Sequence, residues 1–137
     1  MKVALGLGCD RGTPLPTLAR AVDQALAAAG ATLADVVAVA SIDLKADETA
    51  LLELAARHGW HITFHPAATL AAVAVPNPSE TVRRHTGTPS VSEAAALLAA
   101  GAAQDALRVE KHRLRGPDGR NATVSVAEVS LTPCSPY

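Results

Sequence analysis

Val36 to Ile42 is an apolar run that holds one small polar residue, Ser41, and is rich in β-branched side chains, and few folds can house it. A run of this length and composition is the pattern of a central strand covered on both faces. The chain before it repeats a simple grammar. Residues 3–7 form a first apolar strand. Leu15, Leu18, Ala19, Val22, Ala25, Leu26 and Ala29 then follow helical spacing within residues 14–29, and Gly30 stops the helix. Thr32 and Asp35 form a capping-box-like start for one short turn before the central strand.

A second helix is predicted from about Asp47 to His58. Asp47 and Glu48 complement its dipole, Leu51, Leu52 and Ala55 give it an apolar face, and Gly59 ends it. Residues 61–65 alternate about Ile62 and Phe64 as a third strand. Strand, helix, strand, helix, strand at this spacing implies right-handed parallel crossovers with helices on the sheet faces. Further along, 67–72 fits a short helix. Asn77-Pro78-Ser79-Glu80 reads as a helix start, and Ser90 with Glu93 repeats that logic before a helix that Gly101 stops. The tail reads as a β-hairpin, 106–114 and 122–131, around Arg-Gly-Pro-Asp-Gly-Arg. The expected fold class is α/β, with residues 1–137 as one domain.

Composition narrows the function classes. The 137 residues carry a formal net charge of −1, with one Trp, one Tyr and one Phe. Base stacking and a broad electrostatic footprint for nucleic acid or membrane are therefore not expected. Cys9 and Cys134 lack a disulfide framework spacing, and the longest apolar stretches fall short of a membrane span, which suits a cytoplasmic protein. His58, His61, His65, His85 and His112 show no metal-ligand spacing, so no metal or cofactor is expected.

The chemistry-bearing residues cluster after the strands. Gly6, Gly8 and Gly12, with Cys9, Arg11 and Thr13 between them, sit where the first strand gives way to a helix. Glycines let backbone amides approach a ligand, a helix N-terminus favours negative charge, and a guanidinium suits carboxylate or phosphate. A tight turn that needs glycine for packing fits the same residues. No Gly-Lys-Ser/Thr follows, and Gly-x-Gly-x-x-x-Gly is not the dinucleotide fingerprint, which disfavours a nucleotide-binding domain. In a parallel sheet the segments after each strand leave from one edge, where ligands of open α/β sheets bind. That edge would gather Gly8, Cys9, Asp10, Arg11, Gly12 and Thr13 with Ser41, Asp43 and Lys45, and then His65. Arg83, Arg84, His85 and Lys111 could extend a basic patch. Cys9 is a candidate nucleophile and equally a packed thiol. His85 is the candidate acid or base, or a helix-end cation.

Four ordered blocks carry a more specific signal. Gly-Leu-Gly-Cys-Asp-Arg-Gly-Thr at 6–13, Ala-Ser-Ile-Asp-Leu-Lys-Ala-Asp-Glu at 40–48, Val-Pro-Asn-Pro-Ser-Glu-Thr-Val at 75–82 and Gly-Thr-Pro-Ser-Val-Ser-Glu-Ala-Ala-Ala at 87–96 resemble the CobE family. The same blocks are similar to the C-terminal domain of CbiG, the cobalt-precorrin-5A hydrolase. The resemblance implies a three-layer α/β/α sandwich, a parallel core with a C-terminal antiparallel hairpin, and a place in cobalamin biosynthesis, in its aerobic branch. It implies binding of a precorrin-type tetrapyrrole by a carrier or accessory factor; the alternative is a hydrolase acting on a precorrin ring substituent. Other corrin-pathway enzymes are possible partners. Family blocks add Asn77, Ser79, His85 and Thr88 to Gly8, Cys9, Arg11, Gly12, Thr13, Ser41, Lys45 and Lys111 as expected ligand-binding residues; a helix cap is the alternative role of Asn77. Two departures stand out: Asp10 occupies a place where the family often has a base, and Arg113 to Arg120 lengthen the hairpin turn.

Overall fold

The computed structural model describes residues 2–43, 46–73, 91–102 and 104–129. Within them lie the strands β1 (Val3–Cys9), β2 (Val36–Ile42), β3 (Ile62–His65), β4 (Leu107–Arg115) and β5 (Asn121–Glu128). They form one sheet in the order β3-β2-β1-β5-β4. The β1–β2 and β2–β3 pairs are parallel, whereas β5 runs antiparallel to both β1 and β4. The hairpin therefore extends the parallel core, and β5 lies directly beside β1. Four of the expected strands need adjustment, β3 by starting at Ile62 instead of 61. β1 continues to Cys9 because β5 pairs with it as far as the Cys9–Ala122 register. β4 ends at Arg115 instead of 114. β5 spans Asn121–Glu128 instead of 122–131: residue 129 is already outside the strand, and 130 and 131 lie outside the described residues.

Among the described residues, four α-helices cover the two faces: α1 (Leu15–Ala29), α2 (Thr49–His58), α3 (Ala67–Ala71) and α4 (Val91–Ala100). Alternation along β1 divides the layers. Val3, Leu5, Leu7 and Cys9 join Leu18, Val22 and Leu26 of α1 and Leu51 and Leu54 of α2 in the larger core. Ala40 and Ile42 of β2 meet Leu70 of α3 and Ala94 and Ala95 of α4 on the opposite face. This is the three-layer α/β/α sandwich. Gly30, Gly59 and Gly101 close α1, α2 and α4 with φ of 74°, 69° and 64°, a left-handed conformation that suits glycine. The Thr32–Asp35 capping box is present in both directions, and the Asp35 carboxylate receives the Thr32 N–H at 2.9 Å.

β2 is an inner strand, as its composition requires, but its coverage is uneven. β3 pairs only with Val39 to Ile42. Val37, before that stretch, is 52% exposed. The opposite half, Val39 to Ile42, is fully buried.

α4 lies unusually low on the sheet. A Cβ on Gly6 would overlap the Ser92 carbonyl oxygen and stand 2.6 Å from the Ala96 amide nitrogen, both backbone atoms of α4. Small residues surround the contact: Ser92, Ala94, Ala95 and Ala96 on the helix, and Ala40, Ser125 and Ala127 on the sheet, are all buried. Ser125 Oγ links strand to helix and hairpin, 2.9 Å from Ser92 Oγ and 2.5 Å from the Glu110 carbonyl. A Cβ on Gly8, by contrast, would find only Thr123 Cβ at 4.0 Å. Gly6→Ala should therefore destabilise the protein by on the order of 3 kcal/mol, the upper range for overpacking, while Gly8→Ala stays close to wild type. Urea unfolding of both variants checks this, and equal midpoints would contradict it.

Candidate functional site

The parallel strands place the segments after β1, β2 and β3 along one sheet edge, and the antiparallel β5 brings the β4–β5 turn to the same edge. Four groups of contacts build the site there. The first is the turn Asp10–Thr13. Thr13 is 3% exposed; its N–H and its hydroxyl both reach the Asp10 carbonyl, at 3.1 and 2.7 Å. Gly12 has φ of 80°, which an L side chain rarely adopts.

The second group joins this turn to the start of α2. Glu48 is the residue preceding α2, and its side chain does not cap that helix. It reaches across to the first turn, where Oε1 accepts the Gly12 N–H at 3.0 Å. Oε2 stands 3.3 Å from Arg11 Nη1, and the side chain is only 5% exposed. Asp47, 80% exposed, takes the same Nη1 at 2.8 Å. The hydrogen bond that Arg11 donates to Asp47, then the charge of that carboxylate, pushes the Arg11 pKa up, so the guanidinium is firmly charged.

The third group ties the turn to the hairpin. Asp10 N–H donates to the Asn121 carbonyl at 2.9 Å. In return the Asp10 carboxylate accepts the Asn121 N–H at 2.8 Å and Nδ2 at 3.1 Å. The fourth is Arg120. Its Nε donates to the Arg11 carbonyl at 3.0 Å, and its Nη1 pairs with Asp118 Oδ2 at 3.1 Å. Asp118 Oδ1 also receives the Arg120 N–H at 3.0 Å, and that bond, with the guanidinium beside it, holds the Asp118 carboxyl below the usual aspartate range.

The expected site residues thus fall into three sets. Gly8, Cys9, Arg11, Gly12 and Thr13 lie together at the edge. Cys9 is the buried last residue of β1 and packs in the α1–α2 core. Ser41 is fully buried near them, with its hydroxyl donating to the Leu7 carbonyl at 2.6 Å, an interior bond between β1 and β2. Lys111 is in β4, four residues before Arg115, which pairs with Asn121; at strand rise that is roughly 13 Å from the turn. Lys45, Asn77, Ser79, His85 and Thr88 lie outside the described residues, as does the helix start at Asn77. Glu48, Arg120 and Asn121 were missed as members of the cluster, whereas Asp10 was expected there. Glu48 could be seen only as a charge complementing the α2 dipole, and Arg120 only as part of a polar turn. Their meeting partners are 36 and 109 residues away.

An open α/β/α sheet with charged, mutually bonded loops at its strand ends is a class that receives ligands at that edge. The comparisons with known proteins specify the family. The family model described as "Cobalamin synthesis G C-terminus" matches residues 3–127. The chain is 44% identical over 101 residues to Protein CobE of Sinorhizobium sp, covering 72% of this chain and 66% of that protein. It is 36% identical over 125 residues to the cobalt-precorrin-5A hydrolase of Priestia megaterium, covering 91% of this chain but 32% of the hydrolase. The crystal structure of CobE, a protein from the cobalamin biosynthetic pathway, superposes with a TM-score of 0.72 at 31% identity, covering 94% of this chain and 92% of that one. The chain belongs to the cobalamin synthesis G C-terminus family, and so to cobalamin biosynthesis. It spans about a third of the hydrolase and about two-thirds of the CobE relative in length.

Two outcomes are expected. Glu48→Ala strips the Gly12 N–H of its acceptor and should cost about 1–3 kcal/mol in urea unfolding; Glu48→Gln, which keeps an acceptor oxygen, should cost less, and Asp47→Ala should leave the midpoint unchanged. A neutral Glu48→Ala would contradict the placement of that carboxylate. The depressed Asp118 pKa stabilises the hairpin turn above the unfolded aspartate value of about 3.9, and the contribution is lost as pH falls through the lower folded value. In an NMR titration the Arg120 amide should report a midpoint below the usual aspartate value; a midpoint at or above it would contradict the bond.

Proposed function

We propose that this chain, acting as one domain, binds a precorrin-type tetrapyrrole at the strand-end edge, as a carrier or accessory factor of the aerobic corrin pathway in the cytoplasm. The observation that carries the reading is the Arg11 guanidinium: 61% exposed, fully charged, and held from below by the buried Glu48. Corrin precursors carry acetate and propionate groups around a large ring. A fixed guanidinium beside glycine-rich backbone is chemistry suited to such carboxylates. Lys45 and the block residues Asn77, Ser79, His85 and Thr88 are proposed to complete the site. Other enzymes of the pathway, which supply and take up the macrocycle, are the proposed partners.

The hydrolase alternative rests on the Priestia relative, whose printed activity belongs to a protein of which this chain covers 32%. In that reading Cys9 is the nucleophile or His85 the acid or base. General acid–base or nucleophilic catalysis needs such a group within hydrogen-bond reach of the reacting atom. The burial of Cys9 against α1 and α2 favours the carrier reading.

The test is to incubate the pure protein with extracts that make successive precorrins. A coloured species should co-purify with its mass unchanged, and Arg11→Ala should weaken its retention roughly tenfold, as for loss of one charge-assisted hydrogen bond. Binding should weaken with salt. No retained tetrapyrrole would overturn the reading. Many turnovers, abolished in a folded Cys9→Ala or His85→Ala variant, would replace it with the hydrolase.

A further inference from the structure

We propose that Arg120, from the β4–β5 turn, is a second ligand-binding cation that brackets the first turn together with Arg11; the inference rests on the carboxylate-binding reading above. Gly12 lies between the two. On one side Arg11 leaves the turn toward Asp47 and Glu48. On the other, Arg120 donates Nε to the Arg11 carbonyl, and a Cβ on Gly12 would stand 3.3 Å from Arg120 Nε and 3.8 Å from its Nη2. The absence of a side chain at residue 12 therefore leaves room for the Arg120 guanidinium close to the turn backbone.

The geometry of Arg120 is that of a presented group. The bonds to the Arg11 carbonyl and to Asp118 engage two of its five N–H donors. Its side chain is 48% exposed while its position is fixed by both neighbours. A guanidinium ordered in advance loses less entropy on meeting a carboxylate than a free one. The turn that bears it is also anchored: Asp10 and Asn121 are bonded twice through the Asp10 carboxylate, and the Gly116 N–H donates to the Arg120 carbonyl at 2.8 Å. Two fixed guanidiniums flanking a glycine turn suit a ligand with carboxylates spaced along its rim. A ligand with a single acid group would use one of them.

Asp118 is the element that tunes this cation. Its carboxylate neutralises Arg120 in the free protein, so an incoming carboxylate shares the guanidinium with it. Asp118→Asn keeps an oxygen for the Arg120 N–H and removes the competing charge.

The probe is uroporphyrin, a stable tetrapyrrole bearing acetate and propionate groups, titrated by absorbance and fluorescence at two ionic strengths. Arg120→Gln should weaken binding roughly tenfold and flatten its salt dependence. Arg120→Lys should recover part of the affinity and the wild-type salt dependence, and Asp118→Asn should bind several-fold more tightly. A folded Arg120→Gln variant with wild-type affinity and salt dependence overturns the inference. If Arg120→Gln does not fold, an Asp118→Asn variant no tighter than wild type overturns it instead. Arg11→Gln separates the two levels: loss of binding there with none at Arg120 leaves the first reading standing and removes only this one. Failure of wild type to bind uroporphyrin overturns both.

Discussion

Helix α4 can rest on the sheet only because Gly6 has no side chain, and much of the architecture follows from that contact. β1 presents two unlike faces. Toward α1 and α2 it offers Leu5 and Leu7, and the core there is filled by large aliphatic groups. Toward α4 it offers Ala4 and Gly6, and the layer closes by backbone proximity among alanines and serines. A chain so rich in alanine and so poor in aromatics cannot fill a wide inter-layer space, so it narrows the space instead. The hydroxyls of Ser92 and Ser125 are then buried and must pair, which they do with each other and with a hairpin carbonyl.

The central place of β1 also determines what its exit meets. With β2 parallel on one side and β5 antiparallel on the other, the start of α2 and the hairpin turn both arrive beside Asp10–Thr13. The α2 start contributes acid to Arg11 and the Gly12 amide, whereas the hairpin contributes base and amide to the Arg11 carbonyl and the Asp10 carboxylate. The contributions differ in weight. Asp47 and Arg11 form a surface pair, worth little to stability because both ends are solvated. Glu48 is buried, and its carboxylate substitutes for the water that Gly12 N–H would otherwise require. The turn that looked open to an outside anion thus holds its own carboxylate beneath it, while the Arg11 and Arg120 side chains are 61% and 48% exposed.

Local signals were the legible ones. Gly30, Gly59 and Gly101 mark three helix ends because a left-handed residue is needed there and little else tolerates it. Thr32 and Asp35 are three residues apart, so their capping box can be seen without knowing the fold. The β-branched run at 36–42 announces an inner strand, and the strand–helix repeat announces its parallel neighbours. The place of β5 was not legible, because its pairing with β1 joins residues more than a hundred positions apart and alternation says nothing about which strand lies alongside. That gap hid the charged network. Asp10 and the long hairpin turn stood out as two separate departures from the family pattern, yet they meet in space: Asp10 binds Asn121, and Arg120 binds the carbonyl of Arg11.

The strand-end edge is the proposed meeting place of ligand carboxylates and this chain. Amide-shift mapping of the labelled protein during a uroporphyrin titration tests it most directly. The account predicts the largest shifts at Gly8 to Thr13 and at Asp118 to Asn121. Shifts confined to the opposite edge, around Gly30 to Thr32 and Gly59 to Trp60, would contradict it.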